Sequence, residues 1–120
     1  MIFCIFLNQK EITVSDYSKK NQSTLVTGIP AKTNYSDEEF KNMIDDFQHW
    51  KKVRMIGSAA MASIYVAAGK AETYKENGIF LWDIAAGAAI VNAAGGVASI
   101  TNIQADHRVD ALFTNQHLVF

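Results

Sequence analysis

Hydrophobic residues along the chain fall into two kinds of pattern. Short segments of strand length, some apolar runs and some alternating, occupy residues 2–7, 11–15, 25–29, 53–56, 71–76, 97–101 and 111–114. Longer stretches of helical character occupy residues 36–50, 59–68 and 82–94. Because strands alternate with helices, the pattern predicts an α/β layered domain.

The first predicted helix has the clearest beginning. Ser36 and Glu39 stand at the spacing of a capping box, in which the hydroxyl and the carboxylate each bind a free backbone N–H. Five apolar residues then recur on one side of the helix, namely Phe40, Met43, Ile44, Phe47 and Trp50. This stripe predicts packing against the core rather than a cofactor site.

Composition and charge narrow the class of protein. The chain has 120 residues, about one domain, and 49% of them are hydrophobic, which excludes a disordered chain. Eleven basic and twelve acidic side chains nearly cancel, so we expect no basic surface of the size that a nucleic-acid polymer needs. Of the sixteen alanines, thirteen lie between Ala59 and Ala98, where small residues let two helices pack closely.

The single cysteine and the apolar segments bear on the compartment. Cys4 cannot form an internal disulfide, and its place in an apolar run predicts a buried thiol. The N-terminus lacks the basic region of a signal peptide. The uncharged residues 84–100 are too few and too rich in alanine and glycine to span a bilayer. We therefore expect a cytoplasmic protein with no membrane partner.

One charged residue stands alone in the apolar second half. Between Asn77 and Ala105 the only formally charged side chain is Asp83, at the start of the alanine-rich third helix. A carboxylate in such surroundings is costly unless it is paired, hydrogen-bonded or bound to a metal. Aspartate is also a favoured N-cap that complements the helix dipole. From position alone, a cap and a site residue are both open interpretations of Asp83.

Two further features are predicted to lie at the same edge of the sheet. Glu76 ends the predicted strand 71–76, and strand ends meet helix starts where ligands bind in α/β folds. The turn Gly57-Ser58-Ala59 joins another strand to a helix and offers backbone N–H groups to a hydroxyl or an anion. For Ser58, a plain N-cap is the competing interpretation. The three histidines lack metal-ligand spacing, and the sequence has no phosphate-cradling glycine loop.

A family resemblance rests on several motifs in order within residues 53–96. They are Gly57-Ser58-Ala59-Ala60, Val66-Ala67-Ala68-Gly69, Glu76, Trp82-Asp83 with Ala85-Ala86-Gly87, and Ala94-Gly95-Gly96. In these motifs the chain resembles the C-terminal half of the inositol monophosphatase family of Mg²⁺-dependent, lithium-sensitive phosphomonoesterases. Upstream, FLNQKEITVS and STLVTGIP extend the resemblance to Phe6, and downstream it reaches about Asn115.

The resemblance implies a fold and a role for each matching residue. It implies a layered α/β/α C-terminal domain at residues 21–120, with residues 1–20 as a remnant hairpin and linker of an N-terminal domain. Asp83 would bind Mg²⁺, Glu76 would bind substrate hydroxyls, and Gly57, Ser58 and Ala59 would contact the alcohol half of a phosphate monoester. Glu76 favours inositol monophosphate or a related small phosphorylated alcohol. Sugar bisphosphates, a 3′-phosphoadenosine nucleotide and histidinol phosphate stay open.

Motifs that the family carries elsewhere are missing here. Its other metal ligands lie in a Gly-Glu pair and in Asp-Pro-(Ile/Leu)-Asp-Gly-Thr, and neither occurs in this sequence. We therefore expect no complete catalytic set in this chain and little or no activity without an N-terminal half. That half and a second copy of the chain are the macromolecular partners that the resemblance suggests. The competing hypothesis is a non-catalytic binding or assembly module that keeps the phosphatase fold.

Overall fold

The predicted alternation of strands and helices is present in the computed structural model, which describes residues 4–30 and 34–120. The elements are β1 Ile5–Leu7, β2 Lys10–Ile12, a 3₁₀ turn Lys20–Gln22, β3 Thr24–Thr27, α1 Asp37–Phe47, β4 Lys52–Met55, α2 Ala59–Ala67, β5 Thr73–Phe80, α3 Leu81–Ala93, β6 Val97–Thr101 and β7 Arg108–Thr114. Residues 2 and 3 of the predicted first strand lie outside the described residues.

A mixed five-stranded sheet with the order β4-β3-β5-β7-β6 forms the centre of the domain. β3 runs parallel to β4 and β5, whereas β7 runs antiparallel to β5 and β6. Thr27, the last residue of β3, is in register with Met55 and Lys75. The carboxyl ends of β3 and β4 therefore meet at one edge of the sheet, beside the middle of β5.

Helices cover both faces of the sheet, which confirms the predicted α/β/α layering. α2 and α3 pack on one face over the main core, which includes Tyr74, Ile84 and Phe113. The other face carries a smaller cluster of Leu25, Trp50 and Leu118, against which Phe47 of α1 packs. Hydrophobic burial on both faces holds the layers together.

Small residues bring α2 and α3 close together, as the alanine-rich composition predicts. Ser63 of α2 is fully buried against Gly87 of α3. A Cβ built at Gly87 would lie 2.5 Å from the Ser63 Cβ, well inside van der Waals contact. Glycine at this position therefore sets the distance between the two helices.

The apolar stripe of α1 departs from its prediction of core packing. Ser36 caps the helix as predicted, with its Oγ accepting the Glu39 N–H and its own N–H donating to Glu39 Oε1. However, Phe40 is 52% exposed and Ile44 is 37% exposed. Only the C-terminal end of the stripe contacts the Leu25 cluster, so the helix packs against the sheet through that end alone.

The N-terminal hairpin stands apart from the main sheet. β1 and β2 pair only with each other, and Asn8 and Gln9 turn between them with positive φ. Cys4, which precedes β1, is exposed, so the prediction of a buried thiol is wrong. The neighbouring Glu11 carboxylate raises the pKa of this thiol through a hydrogen bond and its charge.

The segment after β2 is tied into the domain. The predicted strand 11–15 ends at Ile12, after which the Val14 N–H donates to the Ala94 carbonyl and its side chain enters the main core. Asn115 Nδ2 donates to Ser15 Oγ and to the Tyr17 carbonyl. Across the described residues, none of the helices has both the length and the apolar character needed to cross a membrane.

Candidate active-site cleft

A cleft of about 390 Å³ opens at the edge where β3 and β4 end. It brings together every residue that the sequence predicts for the site, namely Gly57, Ser58, Ala59, Glu76 and Asp83. The rest of the wall comes from Thr27, Gly28, Ile29, Pro30, Ala60, Ala62, Tyr74 and Ile79. We call this space the site cleft.

Glu76 reaches the cleft from the middle of a strand, not from its end as predicted. β5 continues to Phe80 because β7 supplies partners for it as far as Arg108. The pairing of β5 with β3 nevertheless stops at Lys75, one residue before Glu76. The Glu76 side chain therefore lies at the edge left open where β3 ends, and it is only 8% exposed.

The Glu76 carboxyl group is held by a buried tyrosine. Tyr74, which is 1% exposed, donates a hydrogen bond of 3.0 Å from its hydroxyl to Glu76 Oε1. Tyr74 and Glu76 are two residues apart on one strand, so both side chains lie on the same face. The Tyr74 ring packs edge-on against Phe113, which fixes the hydroxyl in place.

The surroundings of Tyr74 and Glu76 raise the pKa of the Glu76 carboxyl group above its ordinary value. Burial raises the pKa of Glu76, the hydrogen bond from Tyr74 lowers it, and the charge of Asp83 raises it. The pKa of Tyr74 is also raised, first by burial and then by the charge of Glu76 and its hydrogen bond. A carboxyl group in this setting is well suited to hydrogen bonding with a substrate hydroxyl.

Gly28 makes room for the carboxyl group. A Cβ at this position would stand 2.6 Å from Glu76 Oε1 and 3.2 Å from Glu76 Cδ. The backbone just after β3 can therefore approach the carboxyl group only because residue 28 lacks a side chain. This contact joins the end of β3 to the middle of β5 beside the site cleft.

Asp83 lies in the first turn of α3 with its side chain exposed to the cleft. It is not the N-cap, because the helix begins at Leu81 and Phe80 occupies the cap position without a side-chain hydrogen bond. The cap interpretation of Asp83 is therefore wrong. Its negative charge still complements the N-terminal end of the helix dipole.

The turn 57–59 supplies the third wall of the cleft. Gly57 turns the chain with a φ of +79° directly after the residue that follows β4. Ser58 is the N-cap of α2, and its Oγ accepts the Met61 N–H at 3.2 Å. The cap interpretation of Ser58 is confirmed, and the residue also lines the cleft.

The residues that support Glu76 in the site cleft, Tyr74 and Gly28, are not among the residues predicted from the sequence. Tyr74 lies two residues before Glu76 on the same predicted strand, and this Tyr-x-Glu spacing is the signal that could have identified it. Gly28 carried no signal, because the close approach of Glu76 depends on the register of β3 with β5. Tyr35 lines a second cleft of about 270 Å³, which Glu76 also lines, and the pKa of Tyr35 is raised by burial and by the charges of Glu76 and Glu39.

The carboxylates available to a metal ion are few. Within residues 4–30 and 34–120, no three His, Cys, Asp or Glu side chains come together as a potential metal site. Asp83 has the hard oxygen donors and the exposure that Mg²⁺ requires, and Mg²⁺ keeps several waters. Asp83 therefore fits the role of one ligand, and the described residues do not form a complete magnesium site.

Known proteins are similar to this chain in sequence. The family model for the inositol monophosphatase family matches residues 5–115. The Nus factor SuhB of Pasteurella multocida is 35% identical over 114 residues, which cover 94% of this chain and 41% of the relative. The inositol-1-monophosphatase of a Synechocystis species is 38% identical over 94 residues, covering 78% of this chain and 33% of the relative.

Solved structures agree with the family match. The inositol monophosphatase from Anabaena superposes with a TM-score of 0.77 at 31% identity, over 92% of this chain and 46% of that one. The enzyme from Thermotoga maritima superposes with a TM-score of 0.74 at 29% identity, over 95% of this chain and 44% of that one. The chain spans less than half the length of each of these four relatives. It belongs to the inositol monophosphatase family.

Proposed function

We propose that this chain is the C-terminal portion of a Mg²⁺-dependent phosphate monoester hydrolase. Its substrate would be an inositol monophosphate or a related small phosphorylated alcohol. The observation that carries the proposal is the convergence of Glu76, Asp83 and the 57–59 turn on one cleft. A second support is the name inositol-1-monophosphatase borne by relatives that match most of the chain.

The chain's own residues would bind and orient the alcohol half of the substrate. Glu76, held by Tyr74, would take a hydrogen bond from a ring hydroxyl, and the backbone N–H groups of the 57–59 turn would face the same ring. The apolar part of the wall, from Ile29, Ala62 and Ile79, would exclude water from the face of the ring.

Asp83 would provide one carboxylate ligand to Mg²⁺. Bound Mg²⁺ ions in such hydrolases activate a water molecule and stabilise the leaving oxygen. Because the described residues offer no further ligand cluster, the remaining ligands would have to come from an N-terminal half. We therefore propose that this chain alone has little or no phosphatase activity.

Exposed apolar side chains near the site cleft support a covering partner. Ile29 lines the cleft, Ile56 adjoins Gly57, and Trp82 adjoins Asp83 with 64% of its surface exposed. Large apolar side chains beside a binding site are typical of an interface. The partner would be an N-terminal half of the family type or a second copy of the chain. A cytoplasmic location stays a prediction.

A chimeric enzyme tests the proposal. We would join this chain to the N-terminal half of the Anabaena inositol monophosphatase and measure phosphate release from inositol 1-phosphate with and without Mg²⁺. The proposal predicts Mg²⁺-dependent activity of the chimera and background activity of the chain alone. A folded chimera without activity would contradict it, as would full activity of the isolated chain.

A second candidate is a non-catalytic binding or assembly module. It is favoured by relatives that are named Nus factor SuhB, a name that does not describe a hydrolase. This candidate predicts that the chimera folds and binds partners but releases no phosphate. The same assay therefore separates the two candidates.

A further inference from the structure

A further cleft has a basic lining that includes neither Asp83 nor Glu76. This basic cleft of about 420 Å³ is lined by Thr24, Val26, Lys52, Arg54, Met55, Ile56, Tyr65, Lys70 and Ala71. Its cations are Lys52 and Arg54 of β4 and Lys70, which follows α2. All three side chains are exposed, and in the described part of the chain no carboxylate lies within 4.0 Å of any of them.

The register of the sheet explains how these cations come together. Thr24 is in register with Lys52, and Val26 with Arg54, so the four side chains share one face. α2 and α3 pack mainly on the β5, β6 and β7 part of that face. The β4 margin is therefore left open, with Tyr65 of α2 as the inner wall and buried Val26 as the floor.

One carboxylate lies close to this margin and is already engaged. Glu72 is 5% exposed, and its Oε1 accepts the Thr24 N–H at 2.7 Å. It offsets one of the three positive charges, which leaves the cleft with a net positive charge in a chain whose overall charge is −1. The basic cleft is thus a local departure from the charge balance of the whole protein.

In the part of the chain that the structure describes, no strand pairs with the outer side of β4, which is the terminal strand of the sheet. The one side-chain hydrogen bond to a β4 carbonyl there is from Arg54 Nη1 to Val53, at 3.2 Å, and an added strand would have to share or displace it. Strand edges are often protected by charged residues, and Lys52 and Arg54 could serve only that purpose. The strand at the opposite edge, β6, is longer but carries no charged residue in Val97–Thr101. Charge is therefore not a general protection of this sheet's edges, and Lys52 and Arg54 call for another explanation.

We infer that the β4 edge and the basic cleft together bind an acidic protein segment in extended conformation. The segment adds a strand beside β4, with backbone hydrogen bonds to its outer edge. Alternate acidic side chains then lie next to Lys52 and Arg54 on the cleft face and within reach of Lys70. A nucleic-acid polymer is disfavoured, because three cations beside an apolar floor are too few for a phosphate backbone.

A labelled synthetic peptide tests this inference on the whole chain. The probe has about eight residues, with glutamate alternating with threonine. Binding is followed by fluorescence anisotropy. We expect the probe to bind, and the double variant Lys52→Glu/Arg54→Glu to weaken binding by about tenfold or more through loss of two cross-strand charge pairs. Lys52→Gln/Arg54→Gln, which removes charge without adding acid, should weaken binding less in the same direction.

Matched controls separate strand addition from general charge attraction. Lys10→Glu/Lys41→Glu makes the same charge change on exposed lysines of β2 and α1 and should leave binding unchanged. A peptide N-methylated at alternate residues keeps its charges but cannot pair with β4, and it should not bind. The inference is overturned by absence of probe binding, by equal binding to the β4 double variant, by equal binding of the N-methylated peptide, or by tighter binding of a single-stranded oligonucleotide of equal charge.

Discussion

The hydroxyl of Tyr74 donates a hydrogen bond of 3.0 Å to Oε1 of Glu76, and both side chains are buried. This contact links the core of the domain to the site cleft. Tyr74 packs against Phe113 in the core, whereas Glu76 lines the cleft beside Asp83. The position of the carboxyl group is therefore set by the packed sheet and not by a mobile loop.

Removal of the Tyr74 hydroxyl should raise the pKa of Glu76 further. The hydrogen bond is the one contribution that lowers this pKa, while burial and Asp83 raise it. Tyr74→Phe should also reduce the free energy of unfolding at neutral pH by about 2 kcal/mol, the usual scale for a hydrogen bond to a charged group. NMR titration of the Glu76 carboxyl carbon measures the first effect, and urea unfolding measures the second. Tyr65→Phe, outside the site cleft, should leave the Glu76 titration unchanged.

The buried carboxyl group of Glu76 should make stability depend on pH. Its pKa in the folded state is raised above the ordinary value of 4.5, so the folded state holds the proton more tightly than the unfolded state. This contribution to stability is fully present below pH 4.5 and is lost as pH rises through the folded pKa. Glu76→Gln removes the effect and should become more stable relative to the wild type as pH rises. Urea unfolding at several pH values checks this, and a pH-independent difference would contradict it.

Gly28→Ala should disturb the same carboxyl group. The new Cβ would stand 2.6 Å from Glu76 Oε1, so either the carboxyl group or the backbone after β3 must move. We expect a loss of about 1–3 kcal/mol in the free energy of unfolding, as for overpacked positions. In a Glu76→Ala background the same substitution should cost much less. Equal costs in the two backgrounds would mean that Glu76 is not the obstacle.

Ser58 should contribute to stability as the cap of α2. Ser58→Ala removes the acceptor of the Met61 N–H and should cost about 1 kcal/mol in urea unfolding. Ser58→Asp keeps an acceptor and should stay close to the wild type. Ser18→Ala, in an exposed loop, should change stability by no more than about 0.5 kcal/mol. A cost at Ser58 no larger than that at Ser18 would rule out the capping role.

Local signals in the sequence predicted local structure well. The capping box at Ser36 and Glu39 begins α1 where the sequence predicts it, because both partners of each bond lie within one turn. The alanine-rich segments of α2 and α3 pack closely for a similar reason, since small size acts wherever two helices meet. The alternation of strands and helices was enough to predict the layered architecture.

Features that depend on pairing between strands far apart in the chain could not be predicted from the sequence. β5 runs past Glu76 only because β7, more than thirty residues later, pairs with it as far as Phe80. The stripe of α1 looked like a core face, but Phe40 and Ile44 stay exposed because no described element covers that end of the helix. Asp83 lines the site cleft, as predicted, but it does not cap α3. The helix begins two residues earlier, at Leu81.

The most direct test of the proposed active site is the contribution of Asp83 to phosphate release. In the chimera with the Anabaena N-terminal half, we would measure Mg²⁺-dependent hydrolysis of inositol 1-phosphate by the parent, by Asp83→Asn and by Asp106→Asn. Asp106 is an exposed aspartate paired with Arg108 and provides a matched control. We predict that Asp83→Asn lowers kcat by at least about a hundredfold, as expected for loss of a metal ligand, while Asp106→Asn stays near the parent. Parent-like activity of Asp83→Asn would contradict the account.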